Sequence, residues 1–173
     1  GVVRLHSDFK IELLSYIGNQ LEWLNTSHLF IISDKEALIQ TYSTNLYLLE
    51  KITGKFSVRK ELARTSFNIL KSVKVGDLVY LATTEGLYTY NVKDKKLSNR
   101  PLIRAFCTDI LYDETLWVTS NTGIYNFDIK TGAVKSFSKY DGIQATVFNS
   151  GTLIKLRNGK MASGGSNGVN LFN

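Results

Sequence analysis

One stretch of the chain, residues 116–128, recurs along the sequence, and this repetition constrains the fold more than any other feature. The stretch contains two short alternating runs joined by a polar turn that ends in Gly123. Further copies lie at residues 38–49, 78–90 and 161–172, and residues 1–5 resemble the tail of another. The anchor positions 1, 45, 86, 123 and 168 lie 37 to 45 residues apart, a spacing typical of repeated structural units.

Each repeat contains four predicted strands, here called a to d. In the repeat around Gly123, a further alternating run at 108–112 precedes the central pair and another at 134–137 follows it. The alternation has the two-residue period of strands rather than the 3.6-residue period of helices. Four short strands with tight turns in about 40 residues are typical of a β-propeller blade. The sequence therefore predicts an all-β chain of four-stranded antiparallel meanders, about four blades' worth of a larger propeller.

The predicted organisation is a single propeller fragment over residues 1–173. Its blade segments are 1–20 (strands c and d), 28–60, 67–98, 107–138 and 152–173 (strands a to c). Asn45 stands where the other copies have glycine, and we expect it to adopt positive φ there, because asparagine tolerates that conformation.

The long connections between blades are the predicted recognition surface. In an up-and-down meander they share one face with the b–c turns, and loops there vary without disturbing the sheets. The long connections are predicted at 17–27, 59–67, 99–106 and 139–148. The candidate ligand-binding residues on them are Trp23, Arg64, Arg100, Arg104, Tyr140 and Asn149.

These candidates suit a saccharide ligand. The indole of Trp23 could stack on a sugar ring, and the three arginines could bind carboxylates or sulfates of an acidic oligosaccharide in a bidentate manner. Packing is the competing interpretation for Trp23, and surface solvation is the competing interpretation for the arginines. Asp141 lies beside Tyr140 but precedes Gly142, and this pair is in itself favourable for a turn.

Other features of the sequence indicate structural roles rather than catalysis or metal binding. Trp117 occupies a position that is hydrophobic in the other repeats, which predicts packing between neighbouring sheets. The run 164–168 lacks the Lys-Ser/Thr of a phosphate-binding loop and precedes a strand, so a turn is predicted. The lone Cys107 excludes an internal disulfide and lies in an apolar setting, which predicts packing. His6 and His28 have no partner at metal-ligand spacing. No catalytic residue, metal or cofactor is therefore predicted.

Charge and hydropathy restrict the partners. The chain carries a formal net charge of +6, but its Lys and Arg residues are scattered singly. Scattered charge favours a solvated basic surface over contact with nucleic acid, whose usual footprint is a cluster on one face. No apolar run approaches the roughly 20 residues that a membrane-spanning helix needs.

The repeat resembles a known family. Leu-Trp-Val at 116–118, Thr-Gly-Ile at 122–124 and Phe-Asp at 127–128 are similar to the two-component regulator propeller repeat. Residues 140–143, 148–150, 158–160 and 164–172 resemble the closing blade of that propeller. The family is the periplasmic sensor region of Bacteroides-type hybrid two-component histidine kinases. Thr119, Ala82 and Gln40 depart from the glycine of its pattern.

The resemblance implies a parent protein with two seven-bladed propellers, an immunoglobulin-like domain, a membrane span, a histidine kinase, a receiver and a DNA-binding module. It implies a periplasmic location in an inner-membrane protein. The implied partners are an oligosaccharide, the remaining blades, the immunoglobulin-like domain and a second copy of the parent, without direct contact between this fragment and nucleic acid.

The sequence thus favours a non-catalytic, ligand-sensing propeller segment of a hybrid sensor kinase that responds to oligosaccharides. Two alternatives remain open at this point. One is a protein-interaction propeller of the WD-repeat kind, and the other is a fragment of a propeller glycan hydrolase or lyase.

Overall fold

The computed structural model describes residues 2–5, 11–15, 26–52, 54–144 and 146–173. The chain divides into two compact units, Gly1–Asn68 and Ile69–Asn173. All regular structure in the described residues is strand, apart from one short 3₁₀ helix. The described part of the chain contains no helix long and apolar enough to cross a membrane.

The first unit contains a strand pair and a four-stranded antiparallel sheet. The pair is β1 (Val2–Leu5) with β2 (Ile11–Ser15), and the sheet is β3 (Thr26–Ile31), β4 (Glu36–Thr41), β5 (Asn45–Ile52) and β6 (Lys55–Arg64), hydrogen-bonded in chain order. The central strand β4 is buried on both faces. Its one amide, Gln40, donates from Nε2 to Thr65 Oγ1 at 3.0 Å and to the Phe67 carbonyl at 2.8 Å, so the buried polar group is satisfied.

The second unit contains three antiparallel meanders, each also in chain order. The first is β7 (Ile69–Val75), β8 (Leu78–Thr83), β9 (Gly86–Asn91) and β10 (Lys96–Leu97); the second is β11 (Cys107–Asp113), β12 (Thr115–Ser120), β13 (Ile124–Phe127) and β14 (Val134–Phe137); the third is β15 (Ile154–Lys155), β16 (Met161–Gly165) and β17 (Gly168–Phe172). The predicted all-β class and the four-stranded antiparallel meanders are confirmed.

Alternation along these strands builds the core of the second unit. Tyr80 and Leu87 of the first meander pack with Ile110, Val118 and Phe127 of the second, and all five are buried. The rings of Tyr80 and Phe127 lie 6.3 Å apart in a tilted arrangement. Each such side chain contributes about 1.5–3 kcal/mol on burial, so this core is what holds neighbouring sheets together.

The prediction for Asn45 is wrong. Positive φ falls one residue earlier, on Thr44 (φ 63°), and Asn45 is already paired in β5 opposite Arg64. Two hydrogen bonds hold Thr44 in this conformation, because its N–H donates to the Thr41 carbonyl at 2.9 Å and its Oγ1 donates to the Thr65 carbonyl at 2.6 Å. These bonds replace the freedom that glycine supplies in the other repeats.

The placement of Arg64 in a connection is also wrong. Strand β6 runs for ten residues to Arg64, because two register shifts against β5 allow the pairing to continue past the predicted end. The first strand of the blade segment predicted at 152–173 is short, since β15 covers only Ile154–Lys155. There the backbone N–H of Leu153 donates at 2.9 Å to the carboxylate of Asp109 in β11 rather than to a neighbouring strand.

Glycine at the start of strand c is required by a close approach of two backbones. At Gly123 (φ 140°) a Cβ atom would lie well inside van der Waals contact with the Phe137 carbonyl oxygen. At Gly86 (φ 152°) it would collide with the Ile103 carbonyl oxygen and the Pro101 ring. The repeated glycine therefore marks the point where the chain leaving strand d passes over strand c.

Replacing Gly123 with alanine should destabilise the second unit by about 3 kcal/mol or more, because both φ and the collision with a backbone atom oppose a Cβ. Gly132→Ala is the matched control in the same sheet, since Gly132 also has positive φ (76°) but open space around it. We expect it to cost about 1–2 kcal/mol. Urea unfolding followed by tryptophan fluorescence measures both, and equal losses would contradict the role given to the close approach.

One buried carboxylate joins all three meanders of the second unit. Asp109 in β11 is fully buried, and its Oδ1 lies 2.5 Å from Lys71 Nζ of β7. Its Oδ1 also accepts from its neighbour's backbone N–H, that of Ile110, at 2.8 Å, and its Oδ2 accepts from Leu153 N–H beside β15. A buried carboxylate is tolerated when its oxygens are satisfied in this way.

Asp109→Asn should lower the free energy of unfolding by about 2–4 kcal/mol. The amide carries no charge opposite Lys71, and its NH₂ group faces another hydrogen-bond donor where a carboxylate oxygen accepted. Asp113→Asn supplies the matched control. It breaks the contact between Asp113 Oδ1 and Lys155 Nζ (2.6 Å), a pair that is partly exposed on both sides and should cost below about 1 kcal/mol. Thermal and urea unfolding of the two variants measure both losses of stability. A loss for Asp109→Asn no larger than that of Asp113→Asn would refute the role given to the buried carboxylate.

Candidate ligand-binding cavity

The connection 138–153 between the second and third meanders begins with a short, well-capped turn. The 3₁₀ helix Lys139–Asp141 follows Ser138, whose N–H and Oγ both donate to Asp141 Oδ2, at 2.8 and 3.1 Å. Gly142 closes the helix in the left-handed conformation (φ 91°). The turn chemistry predicted for Asp141 and Gly142 is confirmed, and it fixes the carboxylate in space.

A cavity of about 250 Å³ opens beside this turn. Its walls come from the second meander, from the third meander and from the connection itself. Its lining includes Trp117, Phe137, Asp141, Ile143, Asn170 and Phe172. The volume is at the lower end of small-molecule sites, so it suits a single ring or a short ligand.

Three aromatic rings form one wall. Trp117 of β12 lies 6.0 Å from Phe137 of β14 in a stacked arrangement, with 27° between the ring planes. It also lies 5.1 Å from Phe172 of β17, at 52°. Since Phe172 belongs to the neighbouring meander, the predicted packing of Trp117 between sheets is confirmed. The same ring also lines the cavity.

Asn170 supplies an unpaired donor in the cavity wall. Its side chain is only 6% exposed, and its Oδ1 accepts from the Gln144 N–H at 2.7 Å. This bond fixes the orientation of the amide, because a backbone N–H requires an oxygen opposite it. The Nδ2 group is buried and has no hydrogen-bond partner within the described structure. A buried donor left open in this way is unusual and suits a ligand that brings an acceptor.

Asp141 supplies an acceptor. Its carboxylate is exposed at the cavity, and Oδ2 is occupied by Ser138. The Oδ1 atom makes no hydrogen bond to another described residue, so it can accept from a ligand hydroxyl. The cavity thus combines an apolar aromatic wall with the neutral donor of Asn170 and the charged acceptor of Asp141.

The residues predicted to bind ligand lie elsewhere. Trp23 lies outside the described residues, and Arg64 ends β6 in the first unit. Tyr140 is 89% exposed and does not line the cavity, although its neighbour Asp141 does. Asn149 is exposed, and its backbone N–H donates to the Gly164 carbonyl at 3.0 Å.

Arg100 and Arg104 lie together on the connection between the first and second meanders. Both are exposed, and neither lines the cavity. Their connection is anchored at Ile103, whose carbonyl accepts from the Leu87 N–H at 2.9 Å. Burial and, to a smaller extent, the charge of Glu85 raise the pKa of the Tyr88 hydroxyl, and the charge of Arg104 partly opposes them. Both arginines therefore remain predicted ligand-binding residues on an exposed connection, apart from the cavity lining.

Sequence reasoning missed the cavity because its wall joins residues far apart in the chain. Phe137 and Phe172 were not singled out, and Trp117 was assigned to packing alone. The available signal was the pair of phenylalanines at the ends of their strands, together with a turn containing an acid at 141.

Cys107 is a packed core residue, as predicted. It is fully buried, and burial raises the pKa of its thiol to about 12. Within the described ranges, no cluster of three His, Cys, Asp or Glu side chains could hold a metal ion.

The native thiol should therefore resist Ellman's reagent at pH 8 under conditions in which urea-unfolded protein reacts fully, since the thiolate is the reactive form. Because the folded pKa lies above the unfolded one, the protonated thiol's contribution to stability is present below pH 9 and is lost as pH rises towards 12. Rapid labelling of the native protein at pH 8 would contradict this burial.

Comparison with known proteins places the fold. No family model and no curated protein matches the sequence. Two crystal structures of one Bacteroides thetaiotaomicron extracellular domain, described once as a one-component and once as a hybrid two-component system, are similar with a TM-score of 0.70 at 18% identity. They align with 94% and 92% of this chain and with 22% and 21% of their own.

A second extracellular domain of a hybrid two-component system from the same organism has a TM-score of 0.60 at 16% identity, over 95% of this chain and 25% of its own. The computationally designed protein Ika4 has a TM-score of 0.65 at 16% identity, over 93% of this chain and 96% of its own. The chain has the β-propeller fold. It spans about a fifth to a quarter of the length of the bacterial domains, and likeness at this identity establishes the fold alone.

Proposed function

We propose that this chain is a ligand-binding segment of an extracytoplasmic propeller sensor of the hybrid two-component kind, and that it responds to oligosaccharides. The resemblance in the repeat and the fold of two extracellular sensor domains support the sensor assignment. The single observation that carries ligand binding is the aromatic cavity with the open amide of Asn170.

The chemistry of the cavity suits a sugar ring. A pyranose or furanose has apolar C–H faces that pack on aromatic rings, and it has hydroxyls at its edge that both donate and accept. The wall formed by Trp117, Phe137 and Phe172 provides the apolar contact. Asn170 Nδ2 can donate to one hydroxyl, while the Asp141 carboxylate can accept from another.

Binding at this position would act on two meanders at once. Trp117 and Phe137 belong to the second meander, Asn170 and Phe172 to the third, and Asp141 to the connection between them. A ligand that touches all three favours the arrangement in which its contacts are complete and so shifts a population between states. In the proposed parent protein, this shift would pass through the remaining blades and the immunoglobulin-like domain of a homodimer in the periplasm towards the kinase.

A second candidate function is docking of a protein. Exposed apolar side chains in the described part of the long connections include Leu102, Phe106 and Val147. Exposed apolar groups on the loop face are typical of interaction propellers. Glycan hydrolysis is less well supported, because the cavity wall carries one carboxylate and glycosidases ordinarily use a pair.

Asn170→Asp tests the proposed site with little change in shape. The aspartate keeps an oxygen for the Gln144 N–H but loses the open donor, so affinity for the oligosaccharide should fall on the order of tenfold. Titration calorimetry of the intact ectodomain against short gluco-, galacto-, manno-, xylo- and arabino-oligosaccharides identifies a binding sugar and measures the loss. Thermal unfolding of the variant verifies that it is folded.

The double variant Arg100→Ala/Arg104→Ala is the comparison. If the cavity is the site, these exposed arginines can be removed with less than twofold change in affinity. Loss of binding in the double variant but not in Asn170→Asp would indicate that the ligand binds at the connection that carries the arginines instead. Absence of heat with every oligosaccharide, together with tight binding of a protein, would favour the docking function instead.

A further inference from the structure

We infer that the cavity selects neutral sugar residues over uronic acids and sulfated sugars, and that Asp141 is the residue that determines this preference. The inference rests on the proposed function and names the class of sugar that it accepts. It reverses the expectation, drawn from the arginines, of an acidic oligosaccharide.

The charge of the cavity supports the inference. Among the side chains that line it, Asp141 is the one that carries a charge, and the charge is negative. Ser138 holds the carboxylate in place through two hydrogen bonds to Oδ2, and the 3₁₀ helix behind it is capped by Gly142. The negative charge is therefore a fixed part of the site. An anionic substituent placed beside it would meet like charge, which is the usual way in which a site rejects an unwanted partner.

None of the described lysines and arginines lines the cavity. Lys139 Nζ lies over the ring of Tyr140, 5.4 Å from its centroid, and neither residue lines the cavity. Arg100 and Arg104 belong to the previous connection and are also absent from its lining. An acidic sugar is ordinarily bound through a guanidinium or ammonium partner, and this cavity has none in its wall.

The amide of Asn170 argues against the opposite choice, a cationic ligand. Aromatic rings beside a carboxylate also suit an ammonium group. The open Nδ2 atom is a donor, however, and an ammonium group has no lone pair to accept from it. A neutral polyol satisfies both groups, because one hydroxyl accepts from Asn170 and another donates to Asp141.

The test compares sugars that differ only in charge. Short oligosaccharides of galactose and of galacturonic acid, of equal length and linkage, are titrated into the intact ectodomain at low salt, with the same pair from the glucose series alongside. We expect the neutral member to bind on the order of tenfold more tightly, and this preference to shrink as salt screens the carboxylate.

Asp141→Asn is the diagnostic variant, since its side-chain oxygen still accepts from Ser138 and the cap is kept. It should bring the preference for the neutral sugar to within about threefold, mainly by improving affinity for the uronic acid. Asp94→Asn is the matched control, because it removes the same charge from an exposed turn after β9. That variant should keep the wild-type preference.

The outcomes separate the two proposals. Equal or tighter binding of the galacturonic acid oligosaccharide, or an unchanged preference in Asp141→Asn, overturns this inference and leaves oligosaccharide sensing standing. Tighter binding of choline than of either sugar also overturns it. If neither member of any pair binds, the proposed function fails and the inference fails with it.

Discussion

The arrangement of the second unit depends on the buried carboxylate of Asp109. A charge removed from water costs several kcal/mol unless its oxygens are satisfied, and here the partners come from three successive meanders. Lys71 reaches it from the first, Ile110 belongs to its own strand, and Leu153 donates from the segment that leads into the third. Breaking any of these contacts leaves the buried charge of Asp109 incompletely satisfied. The contacts therefore fix the spacing between the sheets, in addition to the packing of the apolar core.

The hydrogen bond from Leu153 to Asp109 also determines where the cavity can form. Leu153 is the end of the connection 138–153, and its backbone is tied to Asp109. The start of the connection is tied by the capped turn at Asp141. Between these anchors, Gln144 N–H donates to Asn170, so the connection also binds β17. A segment fixed at both ends and in its middle can hold Asp141 across a small volume from Asn170 of β17 without closing that volume.

The fold could be predicted from the sequence because each blade is formed by residues that are close in the chain. Two-residue alternation and, in the three meanders of the second unit, a glycine at the start of strand c specify a meander from neighbouring residues, and Gly123 shows why glycine recurs. Details that depend on pairing could not be read in this way. Arg64 is in a strand because of register shifts against β5, and positive φ falls on Thr44 because of hydrogen bonds to Thr41 and Thr65. The site was less predictable still, since Trp117 and Phe172 meet only through tertiary packing.

The cavity lies where the repeat departs from its own pattern. Register from the turn glycine places Asn170 opposite Ser163, as Tyr125 lies opposite Val118 and Tyr88 opposite Leu81. Two copies thus carry a tyrosine where the third meander carries a much smaller amide. Tyr125 packs against the core that the first two meanders of the second unit share, whereas Asn170 lines the cavity and leaves a donor in its wall. In a repeat protein the scaffold follows from what the copies share, so a binding site is best sought at the position where one copy loses bulk and gains polarity.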